Sequence, residues 1–271
     1  MIFSDKNLSR KLERTEARAN ADFVETHARL DPQSGAAWIN VGGVYAMFDG
    51  VESPCTQTFG LGLFDAITDA ELKALEDFFR GYEAPVFHEV SPMADASIMP
   101  LLSERGYKPI ELSSVMYRAL DSANLRFSPA NPRISTRIVT PDEVDLWAQT
   151  SAGGWAAEME GLADFIFRFG QISARCAGAQ PFLAELDGKP VSTGMLFIYD
   201  DVAMLAGAST IPEGRKNGAQ NALLAARLKF ACESGCSFAT MGTSPGSQSQ
   251  KNAQKNGFEI AYTRTKWQLK Q

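Results

Sequence analysis

The sequence predicts an α/β fold, a mixed α+β sheet covered by helices, built from two tandem copies of one unit. Two observations carry that expectation. Asp201 to Cys236 reads as a buried strand, a short basic loop bearing glycine, and an amphipathic helix stopped by Gly235. In addition, LLSERGYKPIELSSVMYRAL (101–120) matches AQKNGFEIAYTRTKWQLK (253–270), which places Gly106-Tyr107 on Gly257-Phe258. Upstream, each half runs hairpin, strand, helix, strand, helix, and such self-similarity marks duplication of one supersecondary unit.

Taken in order, Leu8 to Leu30 reads as a charged amphipathic helix, with Pro32 and Gly35 at its exit. Ala36 to Phe48 is apolar and closed by Asp49-Gly50, and Thr56 to Phe64 follows as its hairpin partner. Thr68-Asp69-Ala70-Glu71 is a capping box for a helix with Leu72, Leu75, Phe78 and Phe79 inward and Gly81 at its end. Pro85 to Val90 is a strand, Ala94 to Glu104 a helix, and Leu112 to Leu120 a strand. The Ser-, Pro- and Asn-rich stretch Asp121 to Pro132 marks the boundary, giving domains at 1–125 and 134–271 with a linker at 126–133.

The second half opens with a strand at Ile134 to Val139. Thr140-Pro141-Asp142-Glu143 then combines cap, proline and glutamate at a helix start. That helix is expected to end near Gly153-Gly154, and another to span Ala163 to Ala177. Phe182 to Leu186 and Val191 to Tyr199 form a hairpin across Asp187-Gly188. After the 201–236 segment come a strand at Ser237 to Met241, a helix near Ser249 to Asn256, and a strand at Glu259 to Leu269.

Composition bounds the function. With 271 residues, 45% hydrophobic and 21% charged, the chain suits a globular protein of two domains. It has no apolar run of membrane length, and MIFSDKNLSRKLERTEAR is charged where a signal peptide would be apolar, so a cytoplasmic protein is expected. Cys55, Cys176, Cys232 and Cys236 have no framework spacing, no histidine lies near the last two, and no metal is expected. The net charge of −6 sits in the first half, with −7 over residues 1–130 and +1 over 131–271. That balance argues against nucleic acid as a partner and favours a cationic one. A solvated acidic surface is the plainer explanation of the same carboxylates.

Pro212 to Gln220 has the composition of a phosphate cradle. The first amides of a helix lack intrahelical partners and carry the positive end of its dipole, Gly218 removes a side chain, and Arg215 and Lys216 add two cations. An ordinary basic strand-to-helix turn would have the same composition. The segment resembles the acetyl-CoA loop of the GNAT superfamily of N-acetyltransferases, Gln/Arg-x-x-Gly-x-Gly/Ala after a strand and before a long helix. Arg215 and Gly218 match, and Gln220 departs at the final small position. PGSQSQKNAQKNGF (245–258) resembles that superfamily's helix with an Asn near its start, closed by Gly-Phe.

The resemblance covers roughly 134–270 and implies two tandem GNAT-like acyl-CoA N-acyltransferase units. The working copy is the second. In the first, Asp65-Ala66-Ile67-Thr68-Asp69 stands where the basic loop should be and would repel a pyrophosphate. By the same resemblance acetyl-CoA is the co-substrate. Its pantetheine would lie along Ala208, Ser209 and Thr210, its pyrophosphate on Arg215, Lys216, Asn217, Gly218, Ala219 and Gln220, with Asn252 contributing. A bulge near Gly207 would aim a backbone N–H at the thioester. Many members place a proton-donating Tyr where this chain has Ala253, so the catalytic residues stay unassigned. Ser249, Tyr262 and Ser209 are candidate proton donors, Glu158 and Glu160 candidate bases, and Trp155 an acceptor wall; a helix cap, core packing and solvated loop acids are the plainer roles. The expected activity is acetyl transfer to the amine of a small, cationic acceptor, with no nucleic acid and no membrane as partner and a homodimer left open. A non-catalytic CoA-thioester sensor and an enzyme for longer acyl chains are the alternatives.

Overall fold

The computed structural model describes residues 3–123, 125, 127, 131–156 and 161–270. In chain order its elements are α1 (Lys6–Leu30), β1 (Ala37–Val41), β2 (Val44–Phe48), β3 (Gln57–Phe59), α2 (Asp69–Gly81), β4 (Phe87–Val90), α3 (Ile98–Glu104) and β5 (Tyr107–Ala119). Then follow β6 (Ile134–Ile138), α4 (Val144–Ala156), α5 (Ala163–Ser173), β7 (Ala179–Leu186), β8 (Lys189–Tyr199), β9 (Val202–Thr210), α6 (Ala219–Glu233), β10 (Phe238–Thr243), α7 (Gln248–Lys255) and β11 (Glu259–Leu269). No helix among the described residues is long and apolar enough to cross a membrane.

The chain forms two compact units, residues 1–117 with 242–271, and residues 118–241. This differs from the contiguous division at 126–133, because the segment expected to close the second domain packs in the first unit. There the strand order is β1-β2-β3-β4-β11-β5, with β11 antiparallel to both neighbours. The second unit has the order β6-β7-β8-β9-β10.

The duplication is visible in strand senses. In the first unit β2 and β3 are antiparallel and β3 and β4 parallel, with α2 as the crossover; in the second β8 and β9 are antiparallel and β9 and β10 parallel, with α6 as the crossover. The repeated helix–glycine–strand segments are α3–Gly106–β5 and α7–Gly257–β11, with φ of +87° and +81° at the two glycines. Both helices therefore end in the left-handed residue that glycine supplies without penalty. β5 and β11 pair with each other, from Tyr107↔Leu269 to Tyr117↔Glu259. The two copies of one segment thus meet across a shared ladder.

Several elements depart from the sequence pattern for identifiable reasons. The apolar run 36–48 is itself a hairpin, β1 and β2, turning at Gly42-Gly43 with φ of +56° and +81°, the geometry of a two-residue primed turn. β5 starts at Tyr107, since its exposed polar residues gain order from pairing with β11. α3 starts at Ile98, because Asp95 accepts the Ser97 N–H in a side-chain turn just before it. α4 runs through Gly153-Gly154 to Ala156. Gly154 is a packing residue there: a Cβ on it would lie 2.6 Å from Ser209 Oγ and 2.9 Å from the Thr210 nitrogen.

Both expected capping boxes are formed. Thr68 accepts the Glu71 N–H at 3.2 Å while Glu71 accepts the Thr68 N–H at 2.8 Å, and Thr140 pairs with Glu143 in the same way. The first unit's core gathers Val44, Leu61, Leu72, Leu75, Phe79, Ile98 and Leu102, which explains why α2 turns that face inward. In the second, Trp147 is buried at 2% exposure and donates from Nε1 to Phe182 O at 2.9 Å, fixing α4 on β7.

Candidate functional site

In the second unit β9 leads into the loop the sequence singles out. Its ladder with β10 ends at Met204↔Thr240, while β9 itself continues to Thr210. On its other edge the register with β8 jumps from Met195↔Ala206 to Thr193↔Ser209, so Gly207 and Ala208 stand opposite Gly194 alone. That is a β-bulge, with Gly207 at φ +57°, and it lies where the sequence expectation put it. Gly207 and Ala208 are exposed. An extended ligand could take the strand edge that β10 leaves.

The loop then turns through a short 3-10 segment, Pro212–Gly214, and two left-handed residues, Lys216 at φ +62° and Gly218 at φ +87°. Gly218 is the N-cap of α6, no side chain caps it, and the first turn carries no acid. The first intrahelical bond there is Ala222 N–H to Gly218 O at 3.1 Å, so the amides before it point out of the helix end. Asn131 donates to Asn217 O at 3.1 Å and Asn217 Nδ2 donates to Arg215 O at 3.0 Å, which set the loop's shape. Arg215, exposed, donates to Thr210 O at 3.3 Å and to Gly154 O at 3.4 Å; Lys216 is also exposed.

The corresponding helix start in the first unit is closed. Glu71 supplies its own carboxylate to the α2 cap, and the Thr68 N–H and hydroxyl hold that carboxyl below its usual range. Ahead of it, Arg10 donates to Leu63 O at 2.9 Å and Phe64 O at 2.8 Å. One copy therefore carries its anion built in, and the other presents an uncapped helix start beside two cations.

The structure assigns other duties to several expected site residues. Gln220 turns its amide between β8 and β9, donating to Ser209 O and Ser192 Oγ, both at 2.7 Å, so its side chain braces the strands. Ser209 is buried at 7% exposure; its hydroxyl donates to Ser151 O at 3.0 Å, which removes it as a proton donor to a ligand. Ala219 is buried, and Ala208 and Thr210 lie on β9. Ser249 is an exposed residue inside α7, whose cap is Ser247. Asn252, also on α7, is exposed and accepts from Gln248 at 2.7 Å. Both belong to the first unit. Trp155 is half-buried on α4, and Glu158 and Glu160 lie outside the described residues.

Tyr262 is corrected most clearly. It is buried in the first unit, its hydroxyl donates to Glu13 Oε1 at 2.9 Å, and burial pushes its pKa well above the usual phenol value. It belongs to a cluster in which Arg264 meets Glu89 at 2.9 Å, Glu16 at 2.6 Å and Glu13 at 3.4 Å. Three carboxylates face one guanidinium, and burial raises the Glu13 pKa to about 7, with Arg264 pulling it down. Stability from protonated Glu13 is present below the unfolded value of 4.5 and lost as pH rises through 7. His88, buried between Thr58 and Tyr107 with its pKa lowered to about 3, acts with the opposite sign, losing stability as pH falls from 6.5 through 3. Glu13→Gln is therefore expected to stabilise the first unit at pH 8 by on the order of 2–3 kcal/mol and to leave it near wild type at pH 4.5. Urea unfolding at the two pH values measures this, and equal gains at both would exclude a neutral Glu13.

Sequence reading missed Arg227, which is buried on α6 beneath the bulge; its one trace was an arginine four residues after Leu223, on the inward stripe.

No family model matches the chain, and no curated protein matches it. Solved structures do. A GCN5-related N-acetyltransferase from Kribbella flavida aligns with TM-score 0.63 at 17% identity, over 94% of this chain and 95% of that one. A tandem GNAT protein from the clavulanic acid biosynthesis pathway aligns with TM-score 0.60 at 12% identity, over 98% and 96%. A GCN5-related N-acetyltransferase from Sphaerobacter thermophilus aligns with TM-score 0.55 at 14% identity, over 83% and 76%. The chain has the GNAT acetyltransferase fold, and a tandem GNAT protein matches it along nearly its whole length.

Proposed function

We propose that the protein is an acetyl-CoA-dependent N-acetyltransferase whose donor site lies in the second unit, between the end of β9 and the start of α6. The observation that carries the reading is the departure of β10 from β9 after Met204, leading to a bulge and then to an uncapped, acid-free helix start. The strand edge would take the pantetheine amides, and the amides around Gly218 to Asn221, with Arg215 and Lys216, would take the diphosphate. In the reaction the acceptor nitrogen's lone pair forms a C–N bond to the acetyl carbon, the C–S bond breaks, and the amine's proton passes to the leaving thiolate, giving amide and free CoA thiol. Water is the proton carrier in this reading, since Ala253 is apolar and the hydroxyls of Ser209 and Tyr262 are committed. A small cationic amine is the acceptor favoured by the acidic charge balance.

Arg215→Glu with Lys216→Glu is expected to weaken acetyl-CoA binding about a hundred-fold or more, since each of the two charge-assisted contacts to a phosphate contributes about 1.5–3 kcal/mol. Calorimetry on the folded double variant reads this, and an unchanged Kd would take the loop out of the site. The second reading, a CoA-thioester sensor without turnover, draws on the same loss of hydroxyl donors. A panel of small amines with detection of released thiol separates the two: amine-dependent thiol release establishes the transferase, and tight acetyl-CoA binding with no release establishes the sensor.

A further inference from the structure

Arg227 is the least expected charge in the second unit. It sits on α6 at 3% exposure, and among the described residues none of its hydrogen bonds goes to a carboxylate. Its Nη1 donates to Met195 O at 3.1 Å and, at the long limit of 3.5 Å, to Ala206 O, while Nε donates to Leu223 O at 3.3 Å. Met195 and Ala206 are the last ladder pair before the bulge. Gly194, facing the bulge, has room for no side chain, because a Cβ there would lie 2.6 Å from the guanidinium carbon. Burial alone draws the pKa down, to about 10, so the group still carries its charge at neutral pH.

A buried cation held by carbonyls is expensive, and a helix facing a sheet could bury a Leu or Met here at no such cost. What the arginine adds is control of one peptide group. The carbonyl of Ala206 and the N–H of Gly207 belong to the same planar trans unit and point in opposite directions. With Ala206 paired to Met195, that oxygen lies on the β8 side within reach of Arg227, so the Gly207 N–H points to the opposite edge of β9, the one that β10 leaves, and a cation beside the oxygen polarises the whole amide.

We propose that Arg227 is a positioning residue for acyl transfer: it fixes and polarises the 206–207 peptide so that the bulge presents a strengthened N–H to the thioester carbonyl oxygen. The proposal rests on the acetyl-CoA reading above. Negative charge develops on that oxygen as the amine attacks, and a preorganised donor removed from such a site typically costs 10²–10³-fold in kcat.

The test uses acetyl-CoA labelled with ¹³C at the acetyl carbonyl, infrared difference spectroscopy on the full chain, and the variants Arg227→Met and Arg227→Lys, each checked for folding by near-UV circular dichroism. Wild type should lower the carbonyl stretching frequency of the bound thioester. Arg227→Met should bind acetyl-CoA within about threefold of wild type, lose that shift, and lose about 10²-fold in kcat with little change in KM. Arg227→Lys should fall between them, and it decides the matter where the methionine variant is unfolded. A folded variant that binds acetyl-CoA and keeps the full shift overturns the role of Arg227 and leaves the acetyl-CoA site standing. A wild type that does not bind acetyl-CoA overturns both. A shift that depends on Arg227, without turnover of any amine, overturns the acyl-transfer role together with the transferase reading.

Discussion

Replacing Arg264 with methionine should destabilise the first unit by about 3–5 kcal/mol, which at neutral pH is a large share of a domain's whole stability. The cause is what remains behind. Glu13, Glu16 and Glu89 converge on the one guanidinium, with Arg264 itself 4% exposed and stacked over the Phe59 ring at 4.9 Å. Removing the cation leaves buried carboxylates to ionise against one another or to take up protons. Lowering the pH should restore part of the lost stability, because protonation removes the repulsion. Guanidinium-chloride unfolding of wild type and variant at pH 5 and pH 8 gives the comparison. A loss below 1 kcal/mol at pH 8 would mean that the cluster is hydrated and its charges screened. Combining Arg264→Met with Glu13→Gln should recover more than either effect alone predicts, since the groups share one network.

Gly154→Leu is expected to cost the second unit about 3 kcal/mol or more, with loss of acetyl-CoA binding in whatever folded protein remains. The added Cβ would meet Ser209 Oγ at 2.6 Å, Ser209 Cβ at 2.7 Å and the Thr210 nitrogen at 2.9 Å, and the last of these is backbone that yields only by moving β9. β9 is the strand whose free edge and bulge form the proposed donor site, so stability and binding should fall together. Gly153→Ala is the control. Its Cβ would come 3.3 Å from the Ile211 side chain, a contact that a small shift relieves. Thermal unfolding of the two variants side by side decides: equal melting temperatures would mean that α4 can slide off β9 without penalty.

Legibility in the sequence followed the range of the interactions. Capping boxes at Thr68 and Thr140, the turn at Asp187-Gly188 and the periodic helices are local, and the pattern of a few residues determines them. The α/β class, the duplication and the β9–loop–α6 segment were readable for that reason. Gly42-Gly43 was a missed local signal, a turn inside a run that read as one strand. Gly153-Gly154 misled in the other direction: a glycine pair reads as a helix stop until the strand pressed against it is known. The roles of Ser209, Gln220 and Tyr262 depend on partners at Ser151, Ser192 and Glu13, and no spacing rule connects those positions. Arg227 lay in plain view on an apolar stripe, yet its meaning needed the bulge beneath it.

The place of β11 between β4 and β5 has a consequence for how the protein is made. Tyr117 and Glu259 face each other across that ladder although 142 positions separate them in the chain. While the ribosome has delivered only the first copy, its sheet lacks a central strand, and the facing edges of β4 and β5 have nothing to bond. The first unit cannot complete its sheet until residues 259–269 have been made, so its closure is timed by translation of a segment more than a hundred positions beyond β5.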